Sequence, residues 1–369
     1  MIRIVLVVML LVALFKLWQA LQQRRKATGV WVGSGSAHGQ EKSAAAVVAL
    51  GFVPGEELDT EHSAPPPAEV TAVLDAVRSG DWEAGAAWIE AAGTDWDRRV
   101  GRIGQVAELA VQDDGWLRAW RAARPGDATA TAVDADAAVL LAWEVRGSKL
   151  AKYTTEEQFR VFHQLLGKAQ ELVHEAQRVA DPADPVPYML EQPIAMAFGY
   201  PHERYEALWA EIVKRDPKVL AAHTSALQYW CAKWQGSHEL AESFARRSAD
   251  AGDPGDLLSL LPLYAFFEHE TYDSELDPDT YYKRPEIVEA ATKALADVES
   301  ADPGDRRTAQ VRHMLAWVLY WQDRYLAAAE QFRAVDGYIG AAPWIYTTDP
   351  KGRYLRMRDY TVRQVTPGL

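Results

Sequence analysis

"HMLAWVLYWQDRYLAAAEQFRAVDG", His313 to Gly337, decides how this chain is read. Trp317, Tyr320 and Trp321 stand three and four apart, on one face of a helix. After Gln322-Asp323 a second helical face opens on Tyr325 and continues through Ala328 and Phe332. Two other stretches keep the offsets of that second helix. "GDWEAGAAWIEAA" from Gly80 has Trp82, Gly85 and Ile89, and "HERYEALWAEIVKRDP" from His202 has Tyr205, Leu208 and Ile212. Each helix therefore has one apolar face, with a small or medium residue where a neighbouring helix approaches closely.

Outward from these segments, helical spacing of apolar residues recurs from Val70 to the end. It is interrupted by short stops such as "ARPGD", "ADPADPVP", "RDP", "AGDPGD" and "ADPGD". Proline cannot continue a helix and aspartate caps the next one, so short connections between antiparallel helices follow. No alternating strand pattern competes. The three matched segments resemble the second helix of tetratricopeptide repeats, with Asp216-Pro217 where that family places its proline. His313 to Tyr325 resembles the W-x2-L-G-x2-Y register of the first helix. The resemblance implies an all-α fold of irregular tetratricopeptide-like antiparallel helix pairs, an α-solenoid or superhelix. It also implies a scaffold or adaptor that binds a protein or peptide partner on a curved surface.

With 369 residues and 49% hydrophobic composition, the chain can bury a large core. Lysine and arginine number 39 against 52 acidic residues, and the net charge of −13 opposes nucleic-acid phosphates, so no nucleic-acid partner is expected. Cys231 is the single cysteine, which excludes an intramolecular disulfide framework and a cysteine-rich zinc site.

The N-terminal "MIRIVLVVMLLVALFKLWQALQQRRKA" is uninterruptedly apolar from Ile4 to Phe15. Extended over residues 4–21, with Lys16 snorkelling and Trp18 at the interface, it reaches the roughly 20 residues of a membrane span. Arg24-Arg25-Lys26 stand where a cleavable signal would want small residues, so an uncleaved anchor is expected. Lys16, Arg24, Arg25 and Lys26 outweigh Arg3, which places the body of a single-pass cell-membrane protein in the cytoplasm. A terminal amphipathic or buried helix is the rival reading.

The expected organisation is an anchor helix over 1–26, a Gly/Ser/Ala/Pro-rich linker over 27–67, a helical region over 68–147 and a tetratricopeptide-like domain over 148–369. Within the linker, "AAAVVALGF" (Ala44 to Phe52) has the apolarity of a short helix or strand that docks.

Chemistry is sparser. In "YWCAKWQGSHELAESFARRSA", Tyr229 to Ala249, the helical spacing places Leu220, His223, Leu227, Trp230 and Trp234 on one face. Gly236 is expected at that helix's end with positive φ, Ser237 as the next N-cap, and Trp234 against Phe244 across the turn. A thiolate at Cys231 would be disfavoured near a helix C-terminus, so the thiol reads as a buried apolar group and not as a nucleophile. Lys233, Trp234, Gly236, Ser237, Phe244, Ala245 and Arg246 are similar to a signature of an uncharacterised bacterial family, domain of unknown function 4034. That family brings helices and no reaction.

"FFEHETYDSELDPDTYYKRP" is the densest acidic segment, and Glu268, His269, Asp273, Glu275 and Asp277 are the candidate metal ligands in it. Pro278 replaces the sharp-turn glycine of a calcium loop and Arg284 its final glutamate, which favours a solvated acidic loop. Lys351, Arg353, Arg356, Arg358 and Arg363, with Asp359 among them, offer a basic face to an anionic leaflet or acidic partner, or form a solvated terminal helix. No catalytic residue and no cofactor is assigned, and a non-catalytic adaptor is expected. The alternatives are a hydrolase or metal-dependent enzyme using the segment around His269, and an immunity or inhibitor protein.

Overall fold

The computed structural model describes residues 45–146 and 155–366. The expected anchor over 4–21 lies outside them. Among the described residues no helix is long and apolar enough to cross a membrane. The fold is all-α: the described residues contain no strand, and a single parallel bridge joins Asp59 to Tyr338.

The chain forms two compact units, one of Pro66–Phe244 and one that joins 45–65 to Ala245–Leu369. This differs from the division expected at 147/148. The helices flanking that point pack on each other inside the first unit, because burying their shared apolar faces outweighs the break in helical pattern between them.

The first unit opens with α1 (Ala68–Arg78) and α2 (Trp82–Glu90). Gly80, at φ +99°, makes the turn, and the Asp81 carboxylate accepts from Ala84 N at 3.1 Å to cap α2. A Cβ on Gly85 would lie 2.8 Å from Val77 Cγ2, so the missing side chain sets how closely the pair approaches. There follow α3 (Trp96–Gln112), α4 (Gly115–Ala123), α5 (Ala128–Arg146) and α6 (Glu156–Val179). Arg121 on α4 reaches both Asp134, early in α5, and Glu175, late in α6, which fixes those two helices as antiparallel.

The short α7 (Val186–Met189) and α8 (Gln192–Phe198) lead to α9 (His202–Arg215), α10 (Leu220–Trp230) and α11 (His238–Asp250). Tyr205 of α9 stacks on Tyr229 of α10 with centroids 3.5 Å apart. Asp97 near the start of α3 accepts from the N-terminal amides of α10, Leu220 N at 3.2 Å and Ala221 N at 2.7 Å, a long-range cap aligned with the helix dipole.

The second unit contains α12 (Leu260–Tyr272), α13 (Pro278–Tyr281), α14 (Pro285–Ser300), α15 (Thr308–Trp321), α16 (Tyr325–Ala334) and α17 (Pro350–Val365). Its N-terminal portion was expected to be linker. Instead, 45–49 forms a helical turn and 52–63 is a strap laid on 336–340. Asp59 N donates to Gly337 O, Ile339 N to Asp59 O and Gly340 N to His62 O, each at 2.8 Å. A Cβ on Gly340 would fall 2.2 Å from the Glu61 carbonyl carbon, a position only glycine can fill. The helical turn and the strap dock because Val47, Phe52 and Leu58 have apolar surface to bury, with exposures of 0%, 4% and 6%.

His313 ties the strap to α15. Its Nε2 is 3.0 Å from Ser63 O and its Nδ1 accepts from Trp344 Nε1 at 2.9 Å, which fixes the neutral tautomer that carries hydrogen on Nε2. Complete burial pushes its pKa down to about 4. The unfolded chain protonates this imidazole near the ordinary value of about 6.5, whereas the folded chain does not. The neutral form's contribution is complete above pH about 6.5 and is lost as pH falls toward 4, on the order of 3 kcal/mol at the low end. Denaturant titration of the second unit should show this loss between those limits, and His313→Gln should flatten the slope.

Candidate functional site

Cys231 is buried, and α10 stops just before it with Trp230. Residues 231–236 then turn back, with Trp234 N on Cys231 O at 2.9 Å and Gln235 N on Tyr229 O at 3.2 Å. Gly236 is glycine for a different reason from the one expected. It is absent from the positive-φ glycines, and a Cβ there would sit 1.8 Å from the Trp230 carbonyl oxygen. Ser237 does cap α11, accepting from Leu240 N at 3.2 Å while its hydroxyl donates to Glu239 at 2.6 Å.

Trp234 and Phe244 find different partners. Phe244 packs edge-on against Trp209, centroids 5.4 Å apart, and beside His223, whereas Trp234 meets Trp143 of α5 at 6.0 Å and 85°. His223 is spent on structure: its Nε2 is 2.8 Å from Pro217 O, and burial lowers its pKa. Of the signature residues, Trp234, Gly236 and Ser237 thus build a turn and Phe244 anchors the helix after it. Ala245 is fully buried on α11, and Arg246 is exposed.

The candidate ligands of the acidic segment are spread over separate contacts. Glu268 is buried and accepts from the Tyr346 hydroxyl at 2.8 Å. His269 packs its ring against Tyr281, centroids 5.7 Å apart. Asp273 accepts from Glu275 N at 2.9 Å, and Asp277 from Asp279 N at 3.1 Å as the cap of α13. Among the described residues no group of three or more His, Cys, Asp or Glu side chains is arranged to hold a metal ion. The C-terminal basic run is also divided. Arg358 is 1% exposed and ion-paired, and burial lowers the Arg353 pKa. Arg356 is exposed and bonded to Asp349.

A surface of different composition gathers where α15, α16 and α17 meet. Tyr320, Tyr325 and Tyr360 form a triangle of edge-on rings with centroid separations of 6.3, 5.8 and 5.7 Å. Leu326, the residue after Tyr325, is 69% exposed, the most exposed large apolar side chain among the described residues. Asp323 joins α15 to α16 at φ +57°. Its carboxylate takes the Tyr325 hydroxyl at 2.6 Å and Lys283 Nζ at 2.6 Å, and these bonds, Lys283 foremost, hold its pKa below the usual range. Burial and then Asp323 push the Tyr325 phenol up, so it remains a neutral donor. Arg363 lies 6.0 Å from the Tyr360 ring.

Tyrosine and arginine, which cluster here, are among the residues enriched in binding hot spots. Sequence spacing assigns Tyr320 and Tyr325 to a helical stripe but cannot find Tyr360, which comes from a helix more than thirty residues on. Leu326 looks like any apolar residue of α16 until its exposure is known.

Gly236→Ala would force the Trp230 carbonyl to move, and should destabilise the first unit by at least about 2 kcal/mol by thermal or urea unfolding. Cys231→Ala, which removes only one buried sulfur, should cost about 1 kcal/mol. Compared with family models, curated proteins and solved structures, the chain matches none.

Proposed function

We propose that this chain is a tetratricopeptide-like helical adaptor, tethered to the membrane by residues 4–21, that binds an amphipathic segment of a partner protein and performs no catalysis. The observation that carries the reading is the 69% exposure of Leu326 on α16, the helix whose first residue, Tyr325, joins the cluster of Tyr320 and Tyr360 rings. Burying Leu326 against a partner would contribute about 1.5–3 kcal/mol, while the tyrosines supply rigid contact area at low entropic cost.

The helical pairs support the repeat reading. The positions three and seven after Trp82, Tyr205 and Tyr325 are all buried, with Ile89, Ile212 and Phe332 at 0% exposure. In α1 and α2 a glycine permits the close approach that such repeats use. The membrane tether rests on the apolar run and the arginines after it.

Leu326→Asp and Tyr360→Ala alter exposed side chains and should leave stability within about 0.5 kcal/mol for the leucine and 1 kcal/mol for the tyrosine. Both should abolish a discrete crosslink between membrane-extracted protein and its partner, whereas Leu240→Asp, on the first unit, should leave it intact. A crosslink unaffected by either substitution removes this surface from the proposal. The chain lacking residues 1–26 should move from the membrane fraction to the supernatant, and retention in the membrane would refute the tether.

A further inference from the structure

In the first unit, Arg146 is the last residue of α5 and is 7% exposed. Its Nη1 is fully covered and has no hydrogen-bond acceptor, and among the described residues no carboxylate is paired with it. Arginine is almost never buried without an anion, because an unpaired buried charge costs several kcal/mol. The α5 C-terminus supplies roughly half a negative charge, which favours a cation at this place but offers Nη1 no acceptor. The chain immediately after Arg146, "GSKLAKYT" over 147–154, contains two lysines and no acid. Burial lowers the guanidinium's pKa, and among the described residues no charged neighbour shifts it.

The surroundings are aromatic and donor-rich. Trp143, one helical turn before Arg146 and on the same face, is 1% exposed. The guanidinium carbon lies 5.4 Å from the Trp143 ring centroid and 5.9 Å from that of Phe162 on α6. Trp234, from the turn that Gly236 closes, stands edge-on to Trp143. Both indole N–H groups, Trp143 Nε1 and Trp234 Nε1, are buried and lack an acceptor. In an edge-to-face pair at most one of them can rest on the other's ring, a weak substitute for a hydrogen bond. At least one indole N–H and the Arg146 Nη1 are therefore left as donors in one small region, against a base rate at which nearly all buried polar atoms are satisfied.

We propose that Trp143, Arg146 and Trp234, with Phe162 as apolar wall, form a binding site for a singly charged carboxylate carried on an aromatic or apolar body. One guanidinium neutralises one negative charge, so a doubly charged phosphate would keep an uncompensated charge in a poorly solvated place. A carboxylate accepts from the guanidinium and from an indole N–H together, and its two oxygens supply the acceptors that these donors lack. Phe162 and the indole faces then bury the ligand's body. The turn of the Lys-Trp-x-Gly-Ser signature acquires a purpose here, since it delivers Trp234 to Trp143.

The test uses the purified full chain, with sodium benzoate as the probe, and sodium phosphate and benzyl alcohol as controls. Benzoate at millimolar concentration should raise the Tm of the first unit by about 2 °C or more. Phosphate and benzyl alcohol should not. Arg146→Met, which replaces an uncompensated cation by an apolar side chain of similar reach, should leave the basal Tm equal or higher and abolish the benzoate shift. Trp234→Phe, which keeps an aromatic side chain but removes the indole N–H, should lower the basal Tm through the lost packing and in addition reduce the benzoate shift several-fold relative to that new baseline.

A wild-type chain indifferent to benzoate overturns the proposal, as does an equal shift in Arg146→Met. A phosphate shift larger than the benzoate shift overturns the carboxylate assignment. A lowered basal Tm in Arg146→Met means that the guanidinium already has a partner inside the protein, and the site does not exist.

Discussion

The second unit depends on one buried cation. Arg358 donates to Asp359 at 2.9 Å, to Asp336 at 3.2 Å and to the Val53 carbonyl at 2.7 Å, all at 1% exposure. A guanidinium taken from water is tolerated only when its donors are satisfied, and here one acceptor belongs to the strap. Asp336 in turn accepts the Tyr354 hydroxyl at 3.1 Å. The strap, the end of α16 and α17 are thereby tied through a single group. Without the strap, Arg358 would lose an acceptor and His313 its Ser63 carbonyl, so the segment before the helices is part of the unit's core.

Close approach is the second constraint. Gly340 against Glu61, Gly85 against Val77 and Gly236 against the Trp230 carbonyl each mark a place where even a methyl group would collide. The last is the most severe. It keeps the return of the chain after α10 tight enough to bring Trp234 to Trp143. None of these three glycines has positive φ, so their value is steric and does not lie in the left-handed conformations that glycine also permits.

The two proposed binding features differ in physical character. The half-buried tyrosine triangle and the exposed Leu326 belong to the second unit, where affinity would come from removing apolar area from water. The Arg146 cluster is buried in the first unit, where selectivity would come from a charge whose donors need acceptors. One suits a segment of a protein and the other a small anion. They occupy separate units and can be probed independently.

The helices are written in local residue order. Their apolar periodicity, the Asp-Pro and Gly-Asp breaks and the capping residues Asp81 and Ser237 are local signals, and the buried positions of α2, α9 and α16 follow from spacing alone. Long-range packing, and no local signal, makes 45–65 part of a folded unit, divides the units after Phe244 and sets Phe244 against Trp209. It also makes Glu268 serve Tyr346 and leaves Arg146 without an acid among the described residues, while Arg358 has two. The reason is range. A helical face is written in residues three and four apart, whereas the partner of a buried charge or ring comes from anywhere in the chain, and no spacing within one helix encodes it.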